Sequence, residues 1–234
     1  MVEMLLSRSD VDPDEEDISS QTPLYFAAQI GHEDIVRLLH VHGANVDYDD
    51  YRDFIQKQTN QFELVFLVLG NHKFYNGTFT AGLEKARQLE QEPSLNGRLV
   101  LLHQKRYNIP GPGVTILGCT LWSKLPPDSA ETVRSRVQDF KQIEDWTAHD
   151  HSVAHVSDLA WLLEEMRQVD GEAENSKSVL VATHHAPSLQ RTSSPQYAQS
   201  PWRFAFATDV LSQVSSRVRI WLFGHTHYTT DSKK

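Results

Sequence analysis

Three short apolar runs limit the folds open to this chain more than any other feature of the sequence. Each run is continuously apolar and too short for a surface helix, and they cover residues 63–69, 177–183 and 218–223. Runs of this kind are typical of strands that are buried on both faces of a sheet. Two further runs, 98–103 and 114–122, are separated by a Pro-Gly-Pro-Gly turn and predict a pair of central strands.

The stretches between these runs have the spacing of amphipathic helices. Apolar residues recur every three or four positions, as in Leu159, Leu162, Leu163 and Met166. The same pattern predicts helices over residues 78–90, 130–142, 155–168 and 204–214. Strands that alternate with helices predict an α/β domain, which we expect to extend from residue 49 to residue 234.

Charge and composition disfavour several classes of protein. The formal net charge of −9 disfavours a surface that binds nucleic-acid phosphates. No run reaches the roughly 18 apolar residues of a membrane span, and the first residues lack the pattern of a signal peptide. Cys119 is the single cysteine and cannot form an internal disulfide. We therefore expect a cytoplasmic protein that binds neither a nucleic-acid scaffold nor a membrane.

Residues 1–48 differ in style from the rest of the chain. Pro23 can open a helix that Gly31 ends, and the Leu-Leu pair at 5–6 recurs at 38–39. This pattern closely resembles the ankyrin repeat, whose period is about 33 residues. The resemblance implies a short all-α segment of about one and a half repeats that recognises a protein partner. The alternative is a vestigial cap without a partner, because about three repeats are usually needed for stability.

Each of the three apolar runs ends in residues suited to metal or phosphate chemistry. These endings are Gly70-Asn71-His72, His184-His185-Ala186-Pro187 and Gly224-His225-Thr226-His227. Ligands of open α/β sheets bind beyond the carboxyl ends of the strands, so the three endings are expected to converge on one crevice. Imidazole nitrogens and an amide oxygen are suitable ligands for zinc, manganese or iron. A lone histidine is more often a hydrogen-bonded structural residue, so the hypothesis depends on the coincidence of all three endings.

These motifs, in this order and each after a buried strand, closely resemble those of the calcineurin-like metallophosphoesterases. The resemblance covers roughly residues 49–230. It implies an αββα sandwich, in which two sheets are flanked by helices, and the hydrolysis of phosphomonoesters or phosphodiesters by a metal-bound hydroxide. A pair of divalent ions (Mn, Zn or Fe) binds the phosphate ester and generates the nucleophile in such a site.

The resemblance also implies roles for individual residues. Asn71, His184 and His225 match ligands of the second metal, and His227 matches a ligand of the first. His72 matches the catalytic histidine that contacts the phosphate or protonates the leaving group. His184 is preferred to its neighbour as the ligand because it directly follows the strand.

Two regions near these motifs carry weaker signals. His185, beside the expected ligand, and Arg191, in the long loop of residues 188–203, are candidates for substrate binding; loops of this length are commonly functional or disordered. A histidine-rich cluster at 149–155 includes a pair at the spacing of one helical turn, which a metal site can use. The favoured interpretation of this cluster is the start of a helix capped by Asp150 or Ser152.

The sequence departs from the family in its carboxylates. The family begins with Asp-x-His and Gly-Asp motifs, whose second aspartate bridges the two metals, and neither motif is present. The ankyrin-like segment occupies their place, and its His40-Val41-His42 supplies no carboxylate there. Lys73 replaces the acidic residue that usually follows Gly-Asn-His, and the family continues with further strands beyond this C-terminus. We therefore expect a domain cut at both ends, with an incomplete site that binds one metal ion or none.

Three hypotheses about function follow. The chain is a metal-dependent phosphoesterase of weak or no activity whose missing ligands come from elsewhere, such as a partner chain or an unexpected carboxylate. It is otherwise a degenerate relative that acts as an interaction module through its ankyrin part, or a non-functional fusion fragment whose unpaired sheet edge favours aggregation. Under the first hypothesis, the substrate is a phosphate ester.

Overall fold

A computed structural model describes residues 48–111, 113–172, 178–226, 228 and 230, and it confirms the α/β class for this part of the chain. The predicted ankyrin-like segment up to residue 47 lies outside the described residues, and so does His227. The chain divides into two compact units between Glu63 and Leu64, and the predicted domain boundary at residue 48 stays a prediction. None of the described helices has the length and apolar character that crossing a membrane requires.

The helices and strands alternate along the described residues. The α-helices are α1 (Tyr48–Gln61), α2 (Phe79–Glu90), α3 (Pro127–Arg136), α4 (Asp139–Gln142) and α5 (Ala148–Gly171). The strands are β1 (Val65–Leu67), β2 (Gly77–Thr78), β3 (Leu99–Leu101), β4 (Lys105–Ile109), β5 (Val114–Cys119), β6 (Ile143–Glu144), β7 (Ser178–Thr183) and β8 (Val218–Leu222). Short 3₁₀ helices span Asn71–Phe74, Pro93–Leu95, Pro195–Tyr197, Arg203–Ala205 and Leu211–Gln213. Helix α1 belongs to the first compact unit, and every strand belongs to the second.

The strands of the second unit form one sheet of four strands and two parallel pairs. The four-stranded sheet has the order β4-β5-β7-β8. Its strands β5, β7 and β8 are parallel, and β4 is antiparallel to β5. One pair joins β1 to β3, and the other joins the short strands β2 and β6. The parallel arrangement brings the carboxyl ends of β7 and β8 to the same edge of the sheet.

Both faces of the β1–β3 pair are buried, because alternate side chains pack in two different apolar clusters. Leu67 and Leu101 point towards helix α2 and pack in a cluster with its Leu83 and Ala86. The residues on the other side, which include Val100 and Leu102, pack with Ile116 of β5 and with Leu180 and Ala182 of β7. The pair therefore lies between helix α2 and the four-stranded sheet.

Helix α5 covers the opposite face of the four-stranded sheet. Its Leu162, Met166 and Val169 are buried in one cluster with Leu117, Cys119, Leu121, Val179 and Val181. Removing this much apolar surface from water is the main favourable contribution to the stability of such a layer. Cys119 is part of this core, and burial raises the pKa of its thiol well above the usual value.

The structure differs from the sequence-based predictions in one strand and one helix. Runs 98–103 and 114–122 both contain strands, as predicted, but β3 and β5 lie in different sheets, and the antiparallel neighbour of β5 is β4, which was not predicted. Strand β4 carries Lys105 and Arg106 and so lacks a continuous apolar run. The helix predicted over residues 204–214 is not formed, because the described residues there have only two short 3₁₀ turns.

The histidine-rich cluster lies at the start of a helix, as predicted, but the predicted cap, Asp150 or Ser152, was wrong. The N-cap is Thr147, whose side chain accepts a hydrogen bond from the backbone N–H of Asp150, and the Asp150 carboxylate accepts one in return from the Thr147 backbone. This reciprocal arrangement is a capping box. The helix therefore starts at Ala148 and includes the histidines of the cluster in its first turns.

The contact between the two sheets predicts a specific cost for a larger residue at position 118. A Cβ atom added at Gly118 would lie 2.6 Å from Cβ of Leu102. We expect Gly118→Ala to lower the free energy of unfolding by about 1–3 kcal/mol, measured by urea titration, because the two layers must separate. Gly77→Ala is the control, since an added Cβ there meets nothing within 4 Å and should change stability by less than about 1 kcal/mol. Equal effects of the two substitutions would contradict the close packing of the layers.

Candidate metal centre

The ends of β1, β7 and β8 bring together three side chains of types that can bind metal ions. The Nε2 atom of His184 lies 2.9 Å from Oδ1 of Asn71 and 3.0 Å from Nδ1 of His225. Asn71 is buried, with 3% of its surface exposed. The structure therefore brings together three of the four side chains that the sequence predicted as ligands, and the fourth, His227, lies outside the described residues.

Backbone hydrogen bonds hold these strand ends in place. The hydroxyl of Thr120 donates to the carbonyl of Leu69 at 2.9 Å, just before the Asn71 turn. The carbonyl of Thr120 accepts from the backbone N–H groups of His184 and His185, and the Gly224 N–H donates to the carbonyl of His184 at 3.1 Å. Thr120 thus ties the end of the β1–β3 pair to the end of the four-stranded sheet. No sequence motif pointed to Thr120, because a threonine after a strand carries no metal signature.

Two backbone features let the side chains approach so closely. A Cβ atom added at Gly70 would lie 2.6 Å from the His184 ring, so only glycine leaves room for the imidazole there. His225 has φ = +64°, a left-handed conformation that costs a non-glycine residue about 1 kcal/mol or more. Such backbone strain occurs most often at functional sites, where the surrounding structure maintains it.

A buried carboxylate lies behind Asn71. Oδ1 of Asp139 accepts hydrogen bonds from the Asn71 side-chain amide at 2.6 Å and from the Tyr75 hydroxyl at 2.7 Å. Asp139 is 1% exposed, and burial raises the pKa of its carboxyl group while the two hydrogen bonds oppose that shift. Burial, followed by the charge of Asp139, also raises the pKa of the Tyr75 phenol. No sequence motif pointed to Asp139, which is 68 residues away from Asn71 in the chain.

His72, the predicted catalytic residue, is half-buried beside this network. Its ring stacks on that of Tyr75, with centroids 4.6 Å apart and planes inclined by 27°. Tyr75 is fixed by its bond to Asp139, so the His72 ring has a rigid support. The neighbouring Lys73 is partly buried, and desolvation lowers its pKa from 10.5 to about 8.

His185, predicted to bind substrate, lies in the core. It is 0% exposed, and among the described residues neither of its ring nitrogens has a hydrogen-bond partner. Its ring packs 4.3 Å from that of His225 and 5.3 Å from that of Trp122. Burial, followed by repulsion from His225 and other imidazoles, holds the pKa of His185 well below its usual value. In this structure His185 therefore backs the cluster, and a route from it to substrate would require movement.

The histidines of helix α5 contribute to the same core. The Nε2 atom of His151 lies 2.9 Å from the Ser123 hydroxyl, and Nδ1 of His155 lies 3.0 Å from the carbonyl of Leu121. Burial lowers the pKa of His151 to about 3 and also lowers that of His155. These contacts are those of buried structural histidines.

Arg191 lies in the loop that follows β7. Its side chain is exposed, and its φ of +60° places it in a left-handed turn. Thr192, its neighbour, is buried, and its hydroxyl donates to the carbonyl of Ser188, which anchors the loop. The loop is therefore partly ordered, and a role for Arg191 in substrate binding stays a prediction.

The atoms that converge at the strand ends suit a divalent ion. Ligand atoms about 2.1 Å from one ion lie about 3 Å apart, close to the observed separations. Amide oxygen and imidazole nitrogen are appropriate donors for manganese, iron or zinc. Within the described residues, no group of three or more His, Cys, Asp or Glu side chains is arranged to hold a metal ion. The cluster itself contains two histidines and one amide.

Comparisons with known proteins identify the N-terminal segment. An ankyrin-repeat family model matches residues 20–51. This segment is therefore similar to an ankyrin repeat, as the sequence predicted. A curated relative, an uncharacterized protein of Acanthamoeba polyphaga mimivirus, is 25% identical over 189 residues that cover 76% of this chain and 67% of the viral protein. No solved structure shows a significant match to the chain.

The buried histidine of helix α5 predicts how stability depends on pH. An unfolded histidine has a pKa near 6.5, and that of folded His151 is about 3, so acidification protonates only the unfolded chain. Stability is therefore present above pH 6.5 and is lost as the pH falls towards 3. Between pH 7 and pH 5, the titration of His151 alone should lower the free energy of unfolding by about 2 kcal/mol.

Urea unfolding at pH 7 and pH 5 measures this dependence. We expect the free energy of unfolding to fall by about 2 kcal/mol less between pH 7 and pH 5 in His151→Phe than in the unmodified chain. The unpaired Ser123 hydroxyl destabilises that variant by a similar amount at both pH values, so the difference reports the histidine alone. His149→Gln is the control because His149 is exposed on the same helix. An unchanged pH dependence in His151→Phe would contradict the prediction.

Proposed function

We propose that the second unit acts as a calcineurin-like metallophosphoesterase domain that binds one divalent ion through Asn71, His184 and His225. The observation that supports this proposal most directly is the position of His184 Nε2, which lies 2.9 Å from Asn71 Oδ1 and 3.0 Å from His225 Nδ1. The three groups come from the ends of three separate strands. Ligand binding at that location is usual for α/β sheets.

The layer order of the second unit also supports the proposal. Helix α2, the β1–β3 pair, the four-stranded sheet and helix α5 follow one another through shared apolar clusters. This sequence of layers is what an αββα sandwich requires. The likeness in layers supports the fold proposal, and the function is argued from the site itself.

The proposed reaction is the hydrolysis of a phosphomonoester or phosphodiester. A bound Mn, Zn or Fe ion would neutralise charge on the phosphate and lower the pKa of a water molecule. The protein groups would orient the ester, and His72, supported by Tyr75, would contact the phosphate or give a proton to the leaving group.

Turnover is expected to be slow. Asp-x-His and Gly-Asp motifs are absent from the sequence, so the cluster has no carboxylate to bridge two cations. Two ions held without such a charge would repel each other strongly. A single ion is therefore the expected stoichiometry.

The ankyrin repeat supports a second function, the recognition of a protein partner. Residues 20–51 match that family, and ankyrin repeats generally mediate protein–protein interaction. In this proposal the two functions are independent, and the degenerate-relative hypothesis retains only the second.

A metal titration with a matched pair of glycine variants tests the first proposal. We expect calorimetry to detect one Mn²⁺ per chain and a chromogenic phosphodiester to be hydrolysed slowly. Gly70→Ala should weaken Mn²⁺ binding by roughly tenfold or more, because its Cβ would displace the His184 ring. Gly171→Ala should leave binding and turnover unchanged, because an added Cβ there meets nothing within 4 Å.

Each outcome of the titration separates two hypotheses. Binding of one Mn²⁺ with turnover that Gly70→Ala reduces supports the phosphoesterase. Absence of both binding and turnover in a cooperatively unfolding chain overturns it and favours the degenerate relative. A chain that lacks a cooperative transition would favour the fragment hypothesis.

A further inference from the structure

The buried carboxylate of Asp139 faces one edge of the Asn71 side chain, and the histidine pair faces the other. The amide nitrogen of Asn71 lies 2.6 Å from Oδ1 of Asp139, and the amide oxygen lies 2.9 Å from Nε2 of His184. The two edges of a planar amide point in different directions. Asp139 therefore contacts the amide on the side away from the cluster.

The carboxylate determines which edge of the amide faces the histidines. If the side chain of Asn71 were turned over, its oxygen would lie next to Oδ1 of Asp139, which already accepts the Tyr75 hydroxyl, and the amide would donate nothing to that atom. A buried polar atom that loses its hydrogen-bond partner is costly, so the bond from the Asn71 amide to Asp139 favours the observed orientation. The amide oxygen, the only atom of this group able to bind a cation, is thereby directed at the cluster.

The position of Asp139 is itself well fixed. It is the first residue of helix α4, and it is 1% exposed. The same oxygen atom accepts the hydroxyl of Tyr75, so the carboxylate cannot rotate without breaking both bonds. Helix α4 also meets the strand β6 that directly follows it, and the Asn76 backbone N–H donates to the carbonyl of Gln142.

We propose that Asp139 is a positioning residue that selects the orientation of Asn71 and so presents the amide oxygen to a divalent ion. The role in metal binding rests on the proposed function, whereas the orientation of the amide does not. Asp139 does not replace the missing bridging aspartate, because it binds the nitrogen edge of Asn71. Hydrogen-bond partners of metal ligands commonly change metal affinity by about 10–100-fold when they are removed.

Three variants of the full chain test this role. Asp139→Ala removes the acceptor, and we expect Mn²⁺ affinity to fall by about 10–100-fold. Asp139→Asn retains an oxygen that can accept the same bonds and should restore much of that loss. Asp158→Ala is the matched control, because Asp158 is also buried at 2% exposure and accepts its hydrogen bond from Gln104. Asp158→Ala should lower the free energy of unfolding but keep the Mn²⁺ affinity within about twofold of that of the unmodified chain. This change is much smaller than the loss expected when the hydrogen-bond partner of a ligand is removed.

A second readout does not need the metal. The side-chain NH₂ signals of Asn71, identified by their loss in Asn71→Asp, should exchange slowly with solvent in the metal-free chain and quickly in Asp139→Ala. Unchanged exchange in Asp139→Ala would overturn the inference, as would unchanged Mn²⁺ affinity in a chain that binds the ion. A chain that binds no Mn²⁺ would overturn the proposed function, and the exchange rate alone would then decide whether Asp139 orients Asn71.

Discussion

Parallel pairing between β7 and β8 is the constraint on which the candidate centre depends. It brings the carboxyl ends of these strands together, so His184 and His225 meet although 41 residues separate them. The third group, Asn71, follows strand β1 of the β1–β3 pair. Thr120 links this pair to the four-stranded sheet through the Leu69 carbonyl and the backbone of His184. A one-residue shift in register would turn alternate side chains to the opposite face and disperse the cluster.

The surroundings of the centre combine a polar edge with a dry interior. Asp139, Asn71 and Tyr75 form a hydrogen-bonded network, in which one carboxyl oxygen of Asp139 accepts from two donors. Behind it, His151 and His185 have lowered pKa values because burial penalises the charged imidazole. These two imidazoles are therefore neutral near pH 7 and place no positive charge beside the cluster.

Much of this arrangement could be predicted from the sequence because its causes are local. Continuous apolar runs identified β1, β7 and β8, and the residues directly after them met as expected for strand ends. Strand β4 was missed since its charged residues interrupt the apolar pattern, and residues 204–214 have helical spacing but form only short turns. Asp139 and Thr120 could not be predicted, because their importance comes from contacts across 68 and 51 residues of the chain. The burial of His185 also depends on tertiary packing that a neighbouring pair of histidines does not reveal.

The most direct test of the central claim is an anomalous diffraction map of crystals soaked in Zn²⁺. We predict one peak about 2.1 Å from Oδ1 of Asn71, Nε2 of His184 and Nδ1 of His225. An ordered Zn²⁺ ion elsewhere, with Nε2 of His184 still within hydrogen-bonding distance of the other two atoms, would contradict the claim. A map without a peak, in crystals whose His184 and His225 side chains are well ordered, would also contradict the claim.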